Sequence, residues 1–191
     1  MRAALAILGG LALAGGHPAR AADPAAGRAV AGMCRTCHGL DGYATMPAAP
    51  HIGGEPQDYL AAQLRAFRTG AREHEMMSIV AAGLTDRQIE DVAAWYAAHT
   101  AAATLPAGAA EADAPEACAA CHGADGIAVA LDAPNLAGEA GAYLDTQLKA
   151  FRSGRREHAV MSGIAADLTD DEIRAYAEWY AAIRLEVGPA P

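Results

Sequence analysis

A chain of 191 residues has room for one large domain or two small ones, and its 14 basic against 23 acidic side chains speak against nucleic acid or an anionic membrane surface as a partner. Apolar residues make up 53% of it, but only two Phe and two Trp are present and alanine supplies much of the rest. So little bulk excludes a thick side-chain core in a small domain, which then needs a covalent or metal-bearing filler.

The chain opens with Arg2, an apolar run from Ala3 to Ala14 and the small-residue pattern Ala19-Arg20-Ala21. That is the layout of a secretory signal over residues 1–21, too short in its apolar part to span a bilayer, which takes about 20 residues. An export signal predicts a periplasmic protein. Losing Arg2 and Arg20 leaves 12 basic against 23 acidic residues, a still more negative mature chain.

Asp23-Pro24 reads as an N-cap with a first-turn proline, opening a helix towards Cys34. There follows Cys34-Arg35-Thr36-Cys37-His38, which returns as Cys118-Ala119-Ala120-Cys121-His122. The pentapeptide is the haem attachment signature: two thiols three residues apart add to the two vinyl groups of one porphyrin, and the adjoining imidazole reaches the iron from the same side. With this many Cys and His, a single chance occurrence has odds of roughly 3 in 1000. Two disulfides, a thioredoxin-like pair or a zinc site are the competitors. A redox pair lacks its βαβ setting, and two separated triplets suit two cofactors better than one zinc.

Sliding the sequence on itself by 84 residues superposes the two motifs without a gap, and more than half the positions from 34 to 99 match their partners. The repeat predicts two domains, 22–100 and 114–191, joined by a linker over 101–113 that contains Pro106 and Gly108. It also tests each candidate ligand. Met77 and Met161 both stand 39 residues after their histidine, whereas Met76 pairs with Val160 and Met46 with Ala130. His with Met is the closed, low-spin arrangement suited to electron transfer. His74 and His158 also repeat and are a second ligand choice, or else surface histidines of a polar turn.

In the loop after each motif, Pro50 and Pro134 could offer a carbonyl to the imidazole N–H or simply mark a turn. Helices follow at Tyr59 to Thr69 and Tyr143 to Ser153. Later ones open at the capping boxes Thr85-Asp86-Arg87-Gln88 and Thr169-Asp170-Asp171-Glu172. Arg68, Arg72, Arg152 and Arg156 recur, either to pair with haem propionates or to form a solvated face. Trp95 and Trp179 read as core or haem packing. No alternating strand pattern stands out, and the predicted fold is all-α.

These motifs, continued as Cys-His-Gly-x-Asp-Gly at 34–42 and 118–126, together with Pro134-Asn135-Leu136-Ala137-Gly138, the run from Gln147 to Gly154 and that from Val160 to Ala165, resemble the cytochrome c4 family of dihaem class I cytochromes. The resemblance covers the whole mature chain. It implies two tandem cytochrome c folds related by a pseudo-twofold axis and two covalently bound haem c groups, with thioethers at Cys34, Cys37, Cys118 and Cys121. It further implies His38 with Met77, and His122 with Met161, as axial pairs to the iron. Members of that family carry single electrons in the periplasm between respiratory redox proteins, often towards terminal oxidases, and many associate with the membrane. The expectation is therefore an electron carrier with transient protein partners and no catalytic residues. The alternative is a cytochrome subunit of a dehydrogenase complex, or a dihaem oxidoreductase, which would need an exchangeable iron position.

Overall fold

The computed structural model describes residues 21–190. The signal segment expected at 1–21 thus lies outside the described residues but for Ala21. Each half is built from helices. In the first, α1 (Pro24–Ala31), α2 (Arg35–His38), α3 (Gln57–Thr69), α4 (Glu75–Ala82) and α5 (Asp86–Ala97) follow in order. The second has α6 (Glu116–His122), α7 (Gly141–Arg152), α8 (Met161–Ala166) and α9 (Asp170–Ala181).

Local sequence explains the helix starts. The Asp23 carboxylate accepts from the amides of Ala25 and Ala26, with Pro24 at the first helical position. Both capping boxes form: Thr85 with Gln88 opens α5, and Thr169 with Glu172 opens α9. In the second half Pro115 caps α6, so the helix begins there and runs through the whole Cys-x-x-Cys-His motif, while in the first half the equivalent stretch, 32–38, is a turn followed by α2.

The apolar stripe of α5 supplies Ile89, Val92, Ala93 and Tyr96 to a core completed by Ala31, Leu60, Ala61 and Leu84. Gly27 lets α1 lie directly on α5, since a Cβ there would stand 1.9 Å from the Asp91 carbonyl oxygen. The second core gathers Leu144, Ala177, Tyr180, Ile183 and Leu185.

Here the structure departs from the expected linker. Residues Thr100–Thr104 form strand β1, paired antiparallel with β2 (Arg184–Gly188), with Ala102 opposite Glu186. Ala101, Ala103 and Leu105 pack against the second core, together with Leu185 and Val187. The chain leaving the first half therefore becomes cover for the second, where the positions equivalent to α1 hold only a single 3-10 turn, Glu111–Asp113. Alternation is present in Arg184-Leu185-Glu186-Val187, but it is only two periods long, and in β1 the inward residues are alanines. The helices dominate, and the fold is all-α. Among the described residues no helix is long and apolar enough to cross a membrane.

Candidate functional site

Each half presents the same constellation. His38 closes α2 and is 8% exposed; His122 closes α6 and is 6% exposed. His38 Nδ1 lies 2.9 Å from the carbonyl oxygen of Pro50, and His122 Nδ1 lies 2.8 Å from that of Pro134. A carbonyl only accepts, so Nδ1 carries the proton and Nε2 keeps its lone pair. Burial depresses both imidazole pKa values; the prolyl carbonyl pulls the other way, and a third influence, the charge of His74 on His38 and of His158 on His122, lowers them further. The product is a neutral, oriented imidazole with a free donor nitrogen. Of the two readings open for Pro50 and Pro134, the structure supplies the carbonyl one.

Gly39 and Gly123 turn the chain away directly after the histidines at φ 74° and 76°, values that favour glycine. The turn is held from the last helix of each half. The hydroxyls of Tyr96 and Tyr180 donate to the carbonyls of Gly39 and Gly123 at 3.2 Å, and the indoles of Trp95 and Trp179 donate to those of Leu40 and Ala124. The two tryptophans thus serve as clamps on the loop beside the histidine.

All four cysteines are free and partly buried. Burial pushes the Cys34 and Cys118 thiols up to about 11. A redox-active pair needs the opposite, a stabilised thiolate. Nor is there a zinc site: among the described residues no group of three or more His, Cys, Asp or Glu is placed to hold a metal ion.

Met77 lies in the first turn of α4 and Met161 begins α8, both half-buried. His74 and His158 are exposed, and their Nδ1 atoms accept from the Met77 and Met161 amides at 3.3 Å, so they cap the turns that carry the methionines. Sequence reasoning did not find helices α4 and α8, whose short apolar runs show little periodicity.

The residues fit a porphyrin. Among the described residues, the large apolar side chains left exposed are Met33, Leu40, Tyr43, Met46, Met76, Ile79, Val129, Leu131 and Val160, and all of these stand on the segments carrying His38, Met77, His122 or Met161. A flat apolar macrocycle is the cover such a rim requires. The recurring arginines, by contrast, are taken up by protein. Arg68 and Arg152 bind the carbonyls of Leu84 and Leu168 and the carboxylates of Asp86 and Asp170.

Arg72 and Arg156 build the contact between the halves. Each bonds Gln63 and Gln147, and each reaches a tyrosine of the other half, Arg72 to Tyr143 at 3.1 Å and Arg156 to Tyr59 at 3.4 Å. The two arginines also face one another in an isolated backbone bridge. Residues 59 and 143, 63 and 147, and 72 and 156 are partners in the repeat, so the contact has twofold character. Each pair is identical in the repeat, but the role across the interface is visible only in three dimensions.

Residues 103–179 match the family model for cytochrome C oxidase, cbb3-type, subunit III. The chain is 37% identical over 168 residues, 78% of its length and 77% of the relative's, to a thiosulfate dehydrogenase electron acceptor of Stutzerimonas stutzeri (strain A1501). It is 35% identical to a cytochrome c4 of Thiocapsa roseopersicina, over 86% of this chain and 96% of that one. The crystal structure of reduced recombinant cytochrome c4 from Pseudomonas stutzeri superposes with a TM-score of 0.73 at 27% identity, covering 86% of this chain and all of the other. With two Cys-x-x-Cys-His motifs, two neutral buried histidines and these relatives, the chain belongs to the cytochrome c4 family and is a dihaem electron carrier with two covalently bound haem c groups.

Proposed function

We propose that this cytochrome is a periplasmic carrier of single electrons between respiratory redox proteins, delivering them towards a terminal oxidase. Cys34 and Cys37 hold one haem by thioethers, Cys118 and Cys121 the other. His38 and Met77 would hold the first iron, His122 and Met161 the second. The haem supplies a one-electron ferric–ferrous couple when bound. The chain's own contribution is to bind, orient and shield.

One observation carries the reading: in both halves the prolyl carbonyl fixes Nδ1–H and so presents Nε2 as the donor. A thioether from Met77 or Met161 is a soft ligand that favours the ferrous state and closes the iron against small molecules. The clamps from Trp95, Tyr96, Trp179 and Tyr180 keep the histidine loops from rearranging when the charge at the iron changes. With a histidine and a methionine on each iron no substrate position would be left, which suits a carrier and not an oxidoreductase.

The test is absorbance of the purified ferric protein. An iron–methionine charge-transfer band accounting for both haems, unaltered by peroxide or thiosulfate, supports the carrier. A band accounting for one haem alone overturns it in favour of a catalytic site.

A second reading concerns the donor. The 37% identity to a protein named as a thiosulfate dehydrogenase electron acceptor favours a dehydrogenase as the source of electrons. Rates of reduction by thiosulfate dehydrogenase, set beside rates of oxidation by a terminal oxidase, separate a carrier serving that enzyme from one serving other donors.

A further inference from the structure

The peptide unit joining Pro134 to Asn135 is bonded at both ends. Its carbonyl accepts from His122 Nδ1 at 2.8 Å, and its N–H donates to the Glu55 carboxylate, 2.9 and 3.1 Å from the two oxygens. Glu55 belongs to the other half of the molecule and is 4% exposed. The Asn135 side chain completes the tie, accepting from the Ala128 amide and donating to the carbonyl of Gly54, beside Glu55.

The repeat places a matching arrangement on the other side. Pro50 accepts from His38, and His51 accepts from the Ala44 amide and donates to the Gly138 carbonyl. Glu139, 3% exposed, occupies the position equivalent to Glu55 and is held down by the backbone N–H of His51. This side is looser, because Glu139 Oε2 is buried without a hydrogen-bond partner among the described residues.

We propose that Glu55 is a positioning residue for the His122 imidazole, acting across the boundary between the halves through the Pro134–Asn135 peptide, and that Glu139 acts likewise, more weakly, on His38. This rests on the two histidines being the axial ligands. An ionised carboxylate drawing on the amide N–H makes the same peptide's carbonyl a stronger acceptor. The stronger acceptor pulls on Nδ1–H, the ring becomes more basic, and the ferric state at that iron is favoured. The sign is therefore fixed: ionised Glu55 lowers the potential of the C-terminal haem.

Whether the carboxyl is ionised is set by its burial, which pushes Glu55 up to about 8 against the Asn135 amide. Burial likewise raises Glu139, helped by the charge of Glu55. Tyr59 faces Glu55 and is itself flanked by Tyr143, Arg156 and Arg72, while Glu139 meets the charge of Glu55 and the backbone of His51.

The experiment is a redox titration of the holoprotein by proton NMR, in which ferric haem methyl signals resolve the two haems. It compares wild type with Glu55→Gln, Glu139→Gln and the interface control Gln63→Ala, on the alkaline side of Glu55's value of about 8. Glu55→Gln is expected to raise the potential of the C-terminal haem and leave the N-terminal haem in place; Glu139→Gln does the reverse with a smaller shift, and Gln63→Ala moves neither selectively. A Glu55→Gln shift that is absent, equal at both haems or confined to the N-terminal haem overturns the proposal.

Where a variant does not fold, the wild-type His122 Nδ1–H resonance is followed through the titration of carbon-13-labelled Glu55. A resonance that moves with the carboxyl supports the link. One that is hyperfine-shifted yet indifferent to the carboxyl overturns this inference alone. One with no hyperfine shift overturns the axial assignment beneath it.

Discussion

His51 Nε2 donates to the carbonyl oxygen of Gly138 at 3.1 Å, fastening the residue next to one histidine's carbonyl partner onto the opposite half. Asn135 makes the same reach from the other side, to Gly54, also at 3.1 Å. One position uses imidazole and the other uses an amide, and only the first can gain a proton.

That difference predicts an acid sensitivity. His51 accepts at Nδ1 and donates at Nε2, so it must be neutral to make both bonds. Burial lowers its pKa below the ordinary 6.5. The unfolded chain then binds the extra proton more readily, and stability falls as pH drops through 6.5 and towards the depressed folded value. His51→Asn, copying the other half, is expected to fold with both bonds intact and to flatten that fall. Denaturant midpoints measured from neutral to mildly acid pH check it; an unchanged slope counts against it.

Loss of a methionine ligand has a separate signature. Met77→Ala or Met161→Ala should remove about half of the iron–methionine charge-transfer absorbance, lower the potential of that haem and let it bind cyanide or carbon monoxide. If neither variant alters the spectrum, the axial assignments fail.

At the interface, Arg72 is 9% exposed and bonds Gln63, Tyr143 and Gln147 while its guanidinium lies 4.5 Å from the Phe67 ring. Truncation takes the donor from Tyr143 and leaves Gln63 and Gln147 to Arg156 alone, a loss of about 3 kcal/mol on typical values for bonds to charged groups. Arg72→Ala should therefore split thermal unfolding into two calorimetric transitions where wild type shows one. A single transition at an unchanged temperature would argue that the halves are held by other contacts.

Leu185→Ala tests the strand pair. Leu185 is 6% exposed and lies in the second core. A truncation of this kind costs about 2 to 4 kcal/mol. The loss should appear as earlier melting of the C-terminal haem environment, read from its own haem signals, with the N-terminal half less affected.

How far these features could be read beforehand depends on what each one needs. The haem motifs, the methionine positions and the capping boxes are local patterns, and the repeat doubles each of them, so residues such as Met161 and Thr169 stood out. The strands did not, because β1 turns alanines inward and alternation among small residues carries little signal. Helices α4 and α8 are short, eight and six residues, too few turns to show a period. Glu55 and Glu139 repeat plainly, yet an acidic residue is expected on the surface. Only the packing of the halves reveals that their carboxyls are enclosed, and what amides they meet.

The strand β1 has a consequence for anyone wishing to study one haem at a time. A fragment started at residue 114 would arrive without Ala101, Ala103 and Leu105, leaving Leu185 and Val187 bare along one edge. A usable C-terminal piece has to start upstream of Thr100, taking with it the tail of what looks like its neighbour.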